Sequence, residues 1–238
     1  MLEGNPRVAH NGERHVGTKG QVRLLNLLNA RLSDDYIAIH ELMVDEHLDV
    51  DVIVIGPTGI WVLESKYFKG RIYYQDGEWR HLEKIPVARG GLYWVEKIYD
   101  KPLNLDGQWE RERNAVYEAL VISGLVDEHR WLLPAIKGGI AFTHPEIEIR
   151  IDASCPVVCL TAEQWSEVIA QERNLLPEFS IELQLEVADV LLDYFGKQLS
   201  LSRSSSVQLA ENIYHSLASR SKARLQGSNV VVPLGRKG

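Results

Sequence analysis

Two apolar runs around a four-residue turn constrain this chain more than any other feature: Val50-Asp51-Val52-Ile53-Val54-Ile55 and Ile60-Trp61-Val62-Leu63-Glu64-Ser65-Lys66, joined by Gly56-Pro57-Thr58-Gly59. Short runs rich in β-branched residues read as strands, and so brief a connection favours an antiparallel return. The start of the first strand then lies beside the end of the second, which brings Asp51 near Glu64 and Lys66. Side chains alternate along a strand, so Glu64 and Lys66 share a face with Ile60 and Val62. Singly these residues are unremarkable, because an Asp after a turn is an ordinary strand start and Glu-x-Lys an ordinary surface ion pair. Jointly they occupy strands that otherwise read as buried, where unpaired charge is costly.

Two carboxylates that converge repel each other and are stable together only with a cation or proton between them. Mg2+, a hard ion that prefers carboxylate, carbonyl and water oxygens, suits such a pair. A phosphodiester needs its attacking water activated and the charge growing on phosphorus oxygens and leaving group compensated, which a carboxylate-bound metal can do. Lys66 would orient the water or neutralise phosphate, and its ammonium would stabilise the carboxylates before metal binds. The residues thus point to metal-dependent phosphodiester hydrolysis.

Around this hairpin the pattern predicts one main domain over residues 17–196, preceded by a polar arm (1–16) and followed by a basic, partly flexible tail (197–238). Val22, Leu25, Leu28 and Leu32 recur at helical spacing from Lys19 to Leu32. Strands are expected at Tyr36 to Val44, before the acidic turn Asp45-Glu46, and in a hairpin at Arg71 to Leu82 around Asp76-Gly77, all in one sheet. Residues 83 to 107, with Pro86, Gly90-Gly91 and Pro102, read as an irregular loop packed through Tyr93, Trp94 and Tyr99. A second helix is expected over Gln108 to Ser123 and a short packed stretch at Trp131 to Leu133. Strands follow at Ile136 to Thr143, Ile147 to Ile151 and Val157 to Leu160. Thr161 and Gln164 form a capping-box pattern before a helix, and Ile181 to Phe195 makes a last helix closed by Gly196. Beyond the serine-rich Ser200 to Ser206, Val207 to Leu225 gives a weak amphipathic helix expected to be mobile or to depend on a partner.

The net charge of −7 argues against passive coating of nucleic acid, although the tail carries +6 and the remainder −13. No apolar run is long enough to span a bilayer and the first residues lack a signal-like core, so a cytoplasmic location is expected and no membrane partner. Cys155 and Cys159 in one strand would stand roughly 13 Å apart, too far for a disulfide. His40, His47, His81, His129 and His144 show no paired ligand spacing, and the Cys pair has no matching partner pair, which argues against zinc. No G-x-x-x-x-G-K-[ST] loop is present, so any ATP-driven step belongs to a partner.

Gly17-Thr18-Lys19-Gly20-Gln21 before a leucine-rich helix, Val50-Asp51, the turn to Ile60, Leu63-Glu64-Ser65-Lys66, and Gly70 and Trp79 downstream together resemble the nuclease-related domain (NERD) family. The resemblance spans about residues 17 to 125 and is thinner to Gly196. That family is placed in the PD-(D/E)xK superfamily, so the resemblance implies a restriction-endonuclease-like α/β core, a mixed α+β sheet flanked by helices. It implies a DNA phosphodiesterase using Mg2+ or Mn2+. Carried over by position, Asp51 and Glu64 become metal ligands, Ser65 lends its backbone carbonyl, and Lys66 becomes the catalytic lysine. The family commonly has a glutamate where this chain has Gln21, which can offer an amide oxygen but no charge. Pro102 with Gln108 corresponds to a Pro and Gln before the second helix, so Gln21 and Gln108 are candidate substrate contacts. Arg111 and Arg113, interleaved with Glu110 and Glu112, read as a solvated face.

The expected function is therefore a Mg2+-dependent deoxyribonuclease in DNA repair or defence against foreign DNA, with DNA as partner, a helicase-like or other defence-system protein as a second, and a homodimer left open. The alternative is a weakened nuclease-fold module that binds DNA or a partner protein through the aromatic loop and basic tail.

Overall fold

The computed structural model describes residues 6–33, 35–44, 48–86, 91–173, 176, 179–202 and 232–234, and among these the side chains between Lys19 and Phe195. The meander forms as its pattern dictates. Strands β1 (Tyr36–Met43), β2 (Asp49–Gly56) and β3 (Gly59–Lys66) pair antiparallel, with Ile39 level with Ile53 and Val54 level with Trp61. The Asp45-Glu46 turn lies outside the described residues.

The single sheet expected through Leu82 is corrected to two. Strands β4 (Gly70–Gln75) and β5 (Glu78–Pro86) do form the hairpin at Asp76-Gly77, but they belong to a separate sheet. Gly70 turns the chain out of the first sheet: its φ is +105°, and a Cβ there would sit 2.2 Å from the Leu82 carbonyl oxygen. The supposed loop at 83–107 is also corrected, because β5 runs on to Pro86 and β6 (Leu92–Glu96) pairs back along it. Pro86 is the last residue of β5 and Gly91 precedes β6, so neither interrupts a strand. Residues 87–90 themselves lie outside the described ones.

Strand β7 (Ile136–Phe142) lies parallel to β3, β8 (Ile147–Ile151) parallel to β4, and β9 (Val158–Thr161) parallel to β7. β10 (Val232–Leu234) pairs antiparallel with β1. The larger sheet has the order β10-β1-β2-β3-β7-β9 and the smaller β6-β5-β4-β8. Cys155 is not in a strand, which corrects the separation expected of the cysteines. Both thiols donate to the Val157 carbonyl oxygen, at 3.4 and 3.5 Å, and both are free.

Helix α1 (Pro6–Arg31) begins far upstream of Lys19, so the polar arm is helical from Pro6. A proline in the first turn has no helical hydrogen bond to lose, and the helix runs on into the apolar stripe. Helix α2 (Leu105–Ile122) is opened by Asn104, whose side chain accepts from the Gly107 N–H at 3.3 Å. Helix α3 (Leu125–Glu128) and a 3-10 turn at Arg130–Leu132 fill the short packed stretch. Helix α4 (Ala162–Gln171) has both capping-box bonds, 3.2 and 2.9 Å. Helix α5 (Ile181–Ser202) passes through Gly196 instead of stopping there. A mid-helix glycine costs only about 1 kcal/mol, and Lys197, Gln198 and Leu199 continue the helix readily. The amphipathic segment from Val207 to Leu225 lies outside the described residues.

Both faces of the larger sheet are covered. Leu24, Leu28 and Trp165 of α1 and α4 pack on Val52, Val54 and Leu63, and Val116, Leu120 and Leu191 of α2 and α5 pack on Ile53, Ile55 and Val62. A third core, with Ile72, Trp79, Leu105, Ile140 and Phe142, joins the smaller sheet to β7 and the start of α2. The result is a mixed α/β core of two sheets flanked by helices. Among the described residues no helix is long and apolar enough to cross a membrane.

Candidate active site

The β2–β3 ladder stops one step short of the charged residues. Its last pair is Val52 with Leu63, and Asp51 and Glu64 lie just beyond. A strand that leaves its partner orphans backbone donors, and here the orphan is used: the Ser65 N–H donates to Asp51 Oδ2 at 2.7 Å. β3 continues along its other edge, where Glu64 is level with Ile140 and Lys66 with Phe142. The Lys66 carbonyl oxygen accepts from the Thr143 N–H at 2.9 Å and from Thr143 Oγ1 at 3.2 Å, which fixes the end of the strand.

Helix α1 reaches this point because Gly20 has no side chain. A Cβ there would lie 2.6 Å from Thr143 Oγ1 and 2.9 Å from Ser65 Oγ. The next residue, Gln21, donates from Nε2 to Asp51 Oδ1 at 2.5 Å. Its amide therefore serves Asp51 as a donor; its nitrogen, not its oxygen, faces the site.

From the opposite face comes α2. The Trp109 indole N–H donates to the Val62 carbonyl oxygen at 2.9 Å and docks the helix on β3. Gln108 accepts from Lys66 Nζ at 2.8 Å, and the same ammonium is ion-paired with Glu64. One turn on, Glu112 is fully buried, which corrects its reading as part of a solvated face. Arg111 is exposed and Arg113 stands over the Trp109 ring, so neither joins the cluster. A signal was present: Glu112 occupies a position of the apolar stripe formed by Leu105, Val116 and Ala119. Its charge made the stripe look broken.

The cluster holds more acid than base. Glu64 is 1 % exposed and Asp51 8 % exposed. Glu64 Oε2 and both Glu112 oxygens meet no hydrogen-bond donor. Burial, reinforced by Glu64, pushes the Asp51 carboxyl well above the usual carboxylate range. Burial, with a contact to the Glu64 carboxylate that only a shared proton makes favourable, pushes Glu112 up to about 12. For Lys66, burial would lower the pKa, but Glu64 and Asp51 outweigh it and hold the ammonium above its ordinary value.

Lys66 is consequently a fixed cation and not a proton acceptor near neutral pH. Among the described residues no three His, Cys, Asp or Glu side chains are already gathered as a metal cage. Asp51 has both oxygens engaged by Gln21 and Ser65. The donor chemistry nonetheless fits a hard divalent cation: buried carboxylates outnumber the single ammonium, and carboxylate oxygens are left unpartnered.

An α/β core whose hairpin ends in a cluster of buried carboxylates and a lysine is consistent with a nuclease-like core. Residues 16–130 match the family model described as the nuclease-related domain (NERD). Placement in the PD-(D/E)xK superfamily is consistent with that match. No curated protein and no solved structure matches the chain.

Proposed function

We propose that this protein hydrolyses DNA phosphodiester bonds with the help of Mg2+ or Mn2+. The observation that supports this reading is the convergence of Asp51, Glu64 and Lys66 at the open end of the β2–β3 ladder, with both acids buried and a carboxylate oxygen without a donor. Asp51, Glu64 and the Ser65 backbone carbonyl would hold the metal. When bound, the ion supplies Lewis-acid compensation for charge developing on the phosphate and lowers the pKa of water.

The chain's own residues do the rest. Lys66, steadied by Glu64 and by Gln108 Oε1, holds a positive charge where phosphate oxygens would lie. Gln21 fixes the rotamer of Asp51 through its amide nitrogen, and Ser65 N–H fixes the other oxygen. Gln108 lies beside the lysine and could contact the substrate strand. Trp94, with Arg71 4.0 Å and Lys84 4.7 Å from its ring centroid, offers an aromatic and cationic surface to a nucleic acid on the smaller sheet. A role in DNA repair or in defence against foreign DNA, alongside a helicase-like partner, belongs to the same proposal.

The test is cleavage of linear, circular and single-stranded DNA in Mg2+, Mn2+ or EDTA by the wild type and Lys66→Ala. Metal-dependent cutting that is lost in the variant is the expected result. The capture of Asp51 by Gln21 favours one other reading, a nuclease-fold module that binds DNA without cutting it. Binding without cleavage under every metal condition would establish that reading and overturn the first.

A further inference from the structure

Among the described residues, Glu112 has both of its side-chain oxygens buried without a donor. It is fully buried on a helical stripe whose other members include Leu105, Val116 and Leu120. A carboxyl kept for structure alone finds a donor, since leaving one buried and unsatisfied costs free energy. Neither Glu112 oxygen has one. The nearby ammonium of Lys66 is committed to Glu64 and Gln108. Trp109 and Gln108 fix the helix on β3 one turn earlier, so Glu112 is held against the Glu64 carboxylate by packing, although the two acids repel when ionised.

On the other face, Gln21 brings no charge to Asp51. The cluster therefore lacks an acid from α1 and has a surplus one from α2. Resting on the metal-dependent reading above, we propose that Glu112 is a metal ligand of this centre, supplying from α2 the carboxylate that α1 does not provide. Its two oxygens and Glu64 Oε2, which meet no donor from any other residue, are the positions that a divalent cation would take in place of the proton the two acids share. The role is particular to this arrangement of Gln21 and Glu112, and it makes the site one of three carboxylates instead of two.

The experiment is calorimetric titration of the full chain with Mn2+ alone, in wild type and Glu112→Gln, together with thermal melts in EDTA and in Mn2+. Glutamine keeps the volume and removes the charge. Expected are a loss of Mn2+ affinity of about tenfold or more, a melting temperature in EDTA equal to or above that of the wild type, and a smaller rise on adding Mn2+. Wild-type binding with unchanged affinity in Glu112→Gln would overturn this inference while leaving the metal-dependent reading intact. A variant that melts well below the wild type in EDTA would overturn it too, by showing that Glu112 holds the fold. Absence of Mn2+ binding by the wild type would overturn both.

Discussion

The two sheets place charge and apolar surface in opposite ways. At the larger sheet, Asp51 of β2, Glu64 of β3 and Glu112 of the helix α2 packed on it are buried among Val, Ile and Leu side chains, where desolvation is most severe. In the smaller sheet, Leu92 (64 % exposed), Tyr93 (63 %) and the nearby Ile98 (92 %) face outwards, while Arg71 and Glu148 form an ion pair at the surface, where it contributes little. Scattered exposed apolar residues are common and need no special cause. Buried acids without donors do, and on the proposed reading this contrast marks the end of β3 as the place where stability is given up for chemistry.

The sharpest way to break the contrast is to remove one acid from each sheet. Asp51→Ala should lower metal-dependent cleavage on the order of 10³-fold, as loss of a group that stabilises transition-state charge does. Glu148→Ala should leave the rate within about twofold and the urea midpoint essentially where it is in the wild type. Equal effects in a single-turnover assay would remove the distinction.

A smaller effect is expected from Gly20→Ala. The new methyl would meet Thr143 Oγ1 at 2.6 Å and Ser65 Oγ at 2.9 Å. Pushing α1 away should cost about 1–3 kcal/mol in urea unfolding and should also lower activity by moving Gln21 off Asp51. A variant of full stability and activity would show that the close approach is dispensable.

The pH dependence of the metal-free protein sharpens the same comparison. Glu112 and Asp51 keep their protons in the fold at pH values where the unfolded chain has lost them. Faced by Glu64 and Lys66 of β3 and Asp51 of β2, Glu112 gives up its proton only near 12. The folded state thus binds more protons, and the stability these groups contribute is complete below the ordinary carboxylate range and declines as pH rises. Each retained proton corresponds to about 1.4 kcal/mol per pH unit. Urea unfolding in EDTA should show stability falling between pH 6 and 8, with a shallower fall in Glu112→Gln. Glu148, whose carboxyl Arg71 holds below its usual range, acts with the opposite sign, and only at acid pH. The smallest effect is that of Leu92→Ser on the exposed edge, within about 0.5 kcal/mol of the wild type.

Legibility in the sequence followed the same division. The β2–β3 hairpin and the meeting of Asp51, Glu64 and Lys66 could be read because strand alternation and a four-residue turn leave few other arrangements. Gln21 and Gln108 lay on helices whose docking depends on Gly20 and on the Trp109 bond to Val62, neither of which a periodic pattern records. Glu112 was hidden by its own charge. The split into two sheets was hidden because Gly70, which redirects the chain, looks like any strand-end glycine, and because the parallel pairing of β4 with β8 joins residues far apart in sequence.

The central claim, that the buried carboxylates around Lys66 form a metal-dependent nuclease centre, is tested most directly by Glu64→Gln, which removes one charge and no volume. A quantitative cleavage assay on linear DNA in Mn2+, paired with a thermal melt, should show a protein that folds at least as stably as the wild type and cuts nothing. Cleavage at the wild-type rate by Glu64→Gln would contradict the account.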